Sequence, residues 1–192
     1  MRKNQETNKK ELDIGGFIGM DVSSKQEAQN EWLGKKKASL VAVTDGSMIS
    51  IEEVPDLVFS EKMIGEGFAM IPTSNVVCAP IGGILFQVAD ASHAFEIRTE
   101  DGLEVLVHVG LDTVILNGEG FETHLKKGMT VKQGDPLVKF DKEYLLSRGC
   151  RLFIPVIVIN GENENYRYVF KPNNEVEAQA GKTIALTIEG YY

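Results

Sequence analysis

Three histidines, His93, His108 and His124, are the residues of this chain best suited to chemistry at neutral pH. Imidazole titrates there, and it offers both a nucleophilic nitrogen and a hydrogen-bond donor. His124 stands in the polar stretch Glu122-Thr123-His124-Leu125-Lys126-Lys127 and reads as a surface residue. The other two gain from their setting. Leu103-Glu104-Val105-Leu106-Val107-His108-Val109 alternates, with the odd positions on one face and Glu104, Leu106 and His108 on the other. His93-Ala94-Phe95-Glu96-Ile97-Arg98-Thr99 is also strand-like, and Asp101-Gly102 between the two runs is a hairpin signal. With those two residues as the loop, Phe95 faces His108. His93 then stands diagonal to His108 on the same sheet face, with Cβ atoms roughly 7–8 Å apart. A three-residue loop would send the two histidines to opposite faces.

Two imidazoles at that spacing reach one small anion. One can attack phosphorus through a neutral nitrogen while the other donates to the phosphoryl oxygens. Asp112, four residues past His108, adds a ligand or a carboxylate beside the site. Metal binding is the competing reading, but two histidines make an incomplete site, and the chain has no CxxC or Cys/His zinc spacing. Satisfied or surface histidines are the third reading. Cys78 and Cys150 fall in apolar or turn contexts and read as packing residues. Gly65-Glu66-Gly67 and Gly118-Glu119-Gly120 lack a phosphate-binding lysine and match no nucleotide motif.

The elements that must hold these residues are short strands. The chain has 192 residues, 43% hydrophobic and 25% charged, which suits one globular domain with a short appendage. Its 19 glycines imply many turns. From Leu40 onward, signals such as Asp45-Gly46, Asn117-Gly118, Lys127-Gly128 and Gly134-Asp135-Pro136 separate runs rich in Val, Ile, Leu and Phe. That rhythm predicts an all-β sandwich or barrel. Helix signals are few: Asp141 as a cap for 142–148 with Gly149 as terminator, and a turn or two over 120–125. The formal net charge of −8 excludes a broad non-specific nucleic-acid binder. The longest apolar runs, 76–86 and 152–159, are short and contain Pro80 and Pro155, so neither spans a bilayer as a helix. No apolar stretch follows the first residues as a signal peptide would need.

Residues 1–38 differ in composition. Eight basic against six acidic residues give them +2, which leaves −10 for the rest. The expected division is a flexible N-terminal tail or linker over 1–38 and one domain over 39–192. A membrane-surface helix anchored by Trp32, Leu33 and Lys35-Lys36-Lys37 is the alternative for the tail.

Several motifs follow one another in order. They include Glu61-Lys62-Met63-Ile64-Gly65-Glu66-Gly67, Ile71-Pro72-Thr73, Cys78-Ala79-Pro80-Ile81-Gly82-Gly83 and Ser92-His93-Ala94-Phe95. Further on come Leu106-Val107-His108-Val109-Gly110-Leu111-Asp112-Thr113-Val114, Leu116-Asn117-Gly118-Glu119-Gly120-Phe121 and Val131-Lys132-Gln133-Gly134-Asp135. Through them the chain, from about Leu40 onward, resembles the glucose-family IIA component (EIIA) of the bacterial phosphoenolpyruvate-dependent sugar phosphotransferase system. The resemblance implies an antiparallel β-sandwich, a barrel-sandwich hybrid, with few short helices. It implies that His108 is the phosphorylated nucleophile, taking phosphate from the phosphocarrier protein HPr and passing it to a IIB domain of a IIBC sugar permease. His93 corresponds to the companion that stabilises the phosphate, and Asp112 and Glu66 match acidic positions nearby. The family usually has Asp where Glu66 stands. The Thr that often precedes the companion histidine by two positions is Ala91 here, with Ser92 next, so that role is not carried over. Aromatic residues that frame the site in some members are replaced by Ala89 and Leu106.

The implied protein is cytoplasmic, needs no cofactor or metal, binds no nucleic acid and meets the membrane only through its permease. A second reading is a regulatory binding module that controls permeases or kinases according to its phosphorylation state. A third is a zinc peptidase of related β architecture, which would need a His-x-His pair that this sequence lacks.

Overall fold

The computed structural model describes residues 36–159, 167–171 and 177–190. The turn residues cut this chain into β1 (Lys36–Val41), β2 (Gly46–Ser50), β3 (Glu66–Pro72), β4 (Val76–Cys78), β5 (Gly83–Val88), β6 (Ala94–Arg98) and β7 (Glu104–His108). They are followed by β8 (Phe121–Glu122), β9 (Thr130–Val131), β10 (Pro136–Phe140), β11 (Ile154–Val158), β12 (Arg167–Phe170) and β13 (Ile184–Gly190). Two short helices, α1 (Leu57–Ser60) and α2 (Lys142–Ser147), and 3₁₀ turns at Ile51–Glu53 and Thr113–Leu116 complete the described structure. The architecture is all-β, as the spacing of turns predicts.

The largest sheet runs β2-β3-β11-β7-β6-β5-β9, and two three-stranded sheets, β1-β13-β12 and β4-β10-β8, accompany it. The paired strands are antiparallel. Alternation decides which side chains enter the core. Val105 and Val107 of β7 are fully buried against Phe95 and Ile97 of β6 and Leu85 of β5, within the main core. The opposite face of the large sheet is also covered. Ile51, Val54 and Phe59, from the connection between β2 and β3, pack with Ala69, Leu111 and Ile157 in a smaller core, and Leu106 lies against it. β11 therefore has no exposed residue, because both of its faces are buried. The connection that builds the smaller core also brings α1 beside the end of β7.

The hairpin between β6 and β7 differs from the two-residue expectation. Ala94 pairs with His108, Phe95 with Val107 and Arg98 with Glu104. The loop is three residues long, 100–102, closed by Thr99 N–H to Leu103 C=O at 2.9 Å and Gly102 N–H to Thr99 C=O at 3.0 Å. Gly102 lies at φ +89°, the left-handed position that three-residue hairpin loops require. Thr99 Oγ1 also accepts from Leu103 N–H at 3.0 Å and reinforces the tighter pairing.

Other expectations meet the structure as follows. Asp141 caps α2 by accepting from Tyr144 N–H at 3.0 Å, and Gly149 follows the helix at φ +83°. Residues 121–122 form strand β8 against β10, not a helical turn. β1 begins at Lys36, three residues before the expected start at 39, and Lys37 pairs with Glu189 at 2.8 Å. The proposed membrane anchor of Trp32, Leu33 and Lys35 lies outside the described residues. Among the described residues no helix is long and apolar enough to cross a membrane.

Candidate functional site

With a three-residue loop, strict alternation would put His93 and His108 on opposite faces. Their rings nevertheless meet, with centroids 5.1 Å apart in an edge-to-face arrangement at 77°. They meet at the open end of the hairpin, where both strands stop. β7 ends at His108 and β6 starts only at Ala94. His93 enters from a turn in which Ser92 is left-handed at φ 55° and donates its N–H to Ala89 C=O at 2.7 Å. The juxtaposition expected from the sequence is present, but it comes from the turn before β6 and not from parity along the strands.

His108 is held on several sides. Its Nδ1 lies 2.8 Å from the Gly110 carbonyl oxygen. A carbonyl oxygen only accepts, so Nδ1 carries the proton and Nε2 presents its lone pair. Thr113 Oγ1 donates to Val109 C=O at 2.9 Å and also reaches Gly110 C=O at 3.4 Å, which steadies the acceptor. Gly110 sits at φ +78°, and a Cβ there would come within 2.6 Å of Thr113 Cγ2, so this turn needs glycine. The Phe59 ring packs on His108 at 5.6 Å. It is placed by α1, whose cap Asp56 accepts from Val58 N–H at 2.9 Å.

Burial, and next the facing His93, push the His108 imidazole down from 6.5 to about 4, while Gly110 C=O, Asp56 and Asp112 pull the other way. Burial also lowers His93, which is 8% exposed and whose Nδ1 has no hydrogen-bond partner. Both rings are therefore neutral at physiological pH, the form in which an imidazole is a nucleophile.

Asp112 lies four residues beyond His108 in a left-handed turn at φ 63°, with its carboxylate 3.2 Å from Arg151 Nη2. Glu66 is at the start of β3 and pairs with Lys62 at 3.2 Å, not with an imidazole. The same Lys62 holds Glu52 at 2.8 Å. His124 is exposed. Burial raises both thiols, so Cys78 and Cys150 are poor nucleophiles. Among the described residues no group of three His, Cys, Asp or Glu is placed to hold a metal ion. Sequence reasoning did not single out Phe59, Asp56 or Arg151 as neighbours of the site. Asp56 two residues before an apolar Val58-Phe59 pair was a readable helix-start signal, but the distance from there to His108 was not readable.

The family model described as "phosphoenolpyruvate-dependent sugar phosphotransferase system, EIIA 1" matches residues 38–164. The chain is 38% identical over 173 residues to the PTS system glucose-specific EIIA component of Halalkalibacterium halodurans, covering 90% of this chain and 96% of that relative. It is 44% identical over 124 residues to the PTS system glucosamine-specific EIICBA component of Bacillus subtilis, covering 65% of this chain and 20% of that longer protein. Among solved structures, the glucose permease IIA from Mycoplasma capricolum superposes with a TM-score of 0.72 at 34% identity, covering 79% of this chain and 96% of that one.

Proposed function

The chain belongs to the EIIA 1 family of the phosphoenolpyruvate-dependent sugar phosphotransferase system and is a phosphoryl-transfer component of sugar uptake, and on that premise we propose that His108 carries the phosphoryl group on Nε2. The observation that carries this reading is the hydrogen bond from Nδ1 to Gly110 C=O, which leaves Nε2 as the free lone pair. HPr is the proposed donor and a IIB domain of a sugar permease the acceptor, both met in the cytoplasm. In the first step the Nε2 lone pair forms a bond to phosphorus as the donor's N–P bond breaks. A metaphosphate-like PO₃⁻ unit moves in line between two imidazoles. Each ring keeps the proton on its other nitrogen, so no proton has to enter or leave. The second step is the same transfer with His108 as the leaving group. The Gly110 carbonyl, by holding the Nδ1 proton, keeps the phosphorylated ring cationic and the N–P bond ready to break.

His93 is the phosphate-stabilising group. Its Nδ1 is shut in without a partner, and a bare acceptor nitrogen tolerates that better than an orphaned N–H. The proton then sits on Nε2, where it can donate to a phosphoryl oxygen. Asp112 is the supporting acid beside the site, and Glu66 supports α1 at one remove through Lys62, which follows that helix. Leu57, Val58, Val114 and Ile115 are exposed on the two segments flanking His108 and supply apolar contact for the partners. The N-terminal tail is outside this chemistry, and the domain that follows it is the transfer unit.

The test is phosphorylation by phosphoenolpyruvate with the two general phosphotransferase proteins. One phosphoryl group should appear, labile in acid and stable in alkali, as a phosphoramidate is. His108→Ala should abolish it in a folded protein. Labelling that persists in that variant, or maps to His93 or His124, overturns the assignment.

A further inference from the structure

Asp112 and α1 form two walls around His108, and one side chain joins them. The backbone of 151–153 already backs the loop that follows His108, through Gly110 N–H to Phe153 C=O at 3.0 Å and Leu111 N–H to Arg151 C=O at 2.8 Å. From that backing segment the Arg151 guanidinium reaches outward in two directions. Nη2 donates to the Asp112 carboxylate at 3.2 Å, and Nη1 donates to the Pro55 carbonyl. Pro55 directly precedes Asp56, the cap of the helix that lays Phe59 on His108. Asp112 makes no capping bond to the 3₁₀ turn it begins, so Arg151 is its partner.

We propose that Arg151 is a positioning residue of the transfer site, whose forked guanidinium fixes the spacing between the Asp112 turn and α1. This rests on the reading of His108 as the phosphoryl carrier. As a surface ion pair alone the contact would count for little, since the two side chains are 44% and 60% exposed. Its weight lies in the geometry. A planar fork with donors on two nitrogens holds two acceptors at a set separation, which a single ammonium cannot do. The acceptors come from distant parts of the chain, 96 and 39 residues away. Arg151 thus acts through Phe59 and Asp112, without touching the reacting atoms.

The full chain carrying Arg151→Gln or Arg151→Lys separates this role from simple charge. Two quantities are read: the kcat and KM for phosphoryl acceptance from phosphorylated HPr, and the titration midpoint of the His108 imidazole by NMR. Arg151 is exposed enough for both variants to fold, which a thermal melt checks. In Arg151→Gln the endpoint should remain one phosphoryl group, with kcat reduced roughly three- to tenfold by the looser geometry. The His108 midpoint should rise, because the Asp112 carboxylate no longer shares its charge with a guanidinium. Arg151→Lys should return the midpoint towards that of the unsubstituted protein and leave kcat low. An Arg151→Gln protein with unchanged kcat and midpoint overturns the proposal. So does an Arg151→Lys protein restored in both, since charge alone would then suffice. If the unsubstituted protein takes no phosphate, the carrier reading fails, and the NOE between the Phe59 and His108 rings then decides the positioning role: it should weaken in both variants, and an NOE unchanged in both overturns the proposal.

Discussion

The amide of Val109 donates to the carbonyl of His93 at 2.7 Å. The residue after the proposed nucleophile is therefore tied by main chain to His93, and the side chain at position 93 can change without moving this tie. His93→Gln should keep the site assembled and still accept phosphate, because Gln retains a donor. Its amide cannot place that donor where the imidazole Nε2–H stands, so onward transfer should slow by roughly tenfold, the scale of one weakened hydrogen bond to a charged phosphoryl oxygen. A single-turnover transfer assay checks this. A variant that takes no phosphate at all would remove His93 from its supporting role.

The titration of His108 has a definite sign. Its midpoint in the folded protein, about 4, lies below the ordinary 6.5. As pH falls the unfolded chain binds the proton first, so the stability associated with the neutral ring is complete above 6.5 and is lost between 6.5 and about 4. The lowered His93 adds in the same direction. Urea midpoints should therefore fall from pH 7 to pH 4.5, and less steeply in His108→Gln. An NMR midpoint for His108 at or above 6.5 contradicts the burial described here.

Phe59 both fills the smaller core and shields His108 from water. Phe59→Ala should cost about 3 kcal/mol, at the lower end for a buried aromatic because the cluster is small. The same change should raise the His108 midpoint by admitting solvent. Loss of stability with an unmoved midpoint would mean that Phe59 packs but does not shield.

The domain should survive loss of everything before β1. A chain starting at Lys36 is expected to melt cooperatively and to accept phosphate. A chain starting at Val43 also removes Leu40, Val41 and Ala42, which are buried at 0%, 4% and 0% exposure. It also loses the bonds from Val41 N–H to Pro80 C=O and Ala42 N–H to Thr183 C=O. Cooperative melting should be lost there, and differential scanning calorimetry distinguishes the two. Equal melts for both would deny β1 a place in the core.

What could be read in the sequence was the local chemistry. Alternation from Leu103 to Val109 correctly buried Val105 and Val107 in the main core and put His108 on the other face of the strand, because strand periodicity depends only on neighbours; that this second face is also covered was not legible. Asp141 was readable as a cap for the same reason. The hairpin register was not. Asp101-Gly102 signals a turn, but a left-handed glycine suits a two-residue and a three-residue loop alike, and the Thr99 hydroxyl bond that accompanies the longer one is not announced by spacing. The left-handed Ser92, which redirects His93, carries no residue preference strong enough to notice. Phe59 and Arg151 approach His108 only through the tertiary fold, so no spacing in the chain announces them.

The His108 ring is tethered at Nδ1 and flanked by Phe59 and His93, and its strand lies inside the large sheet between β11 and β6. A ring held in this way cannot swing between two mouths. With His108 as the proposed carrier, whatever brings the phosphoryl group and whatever takes it away must use the same approach to Nε2, one after the other. Steady-state rates with both partners varied should accordingly give parallel double-reciprocal lines, and the spent donor should compete with the acceptor for the unoccupied surface. The throughput of the protein would then depend on how quickly each visitor departs.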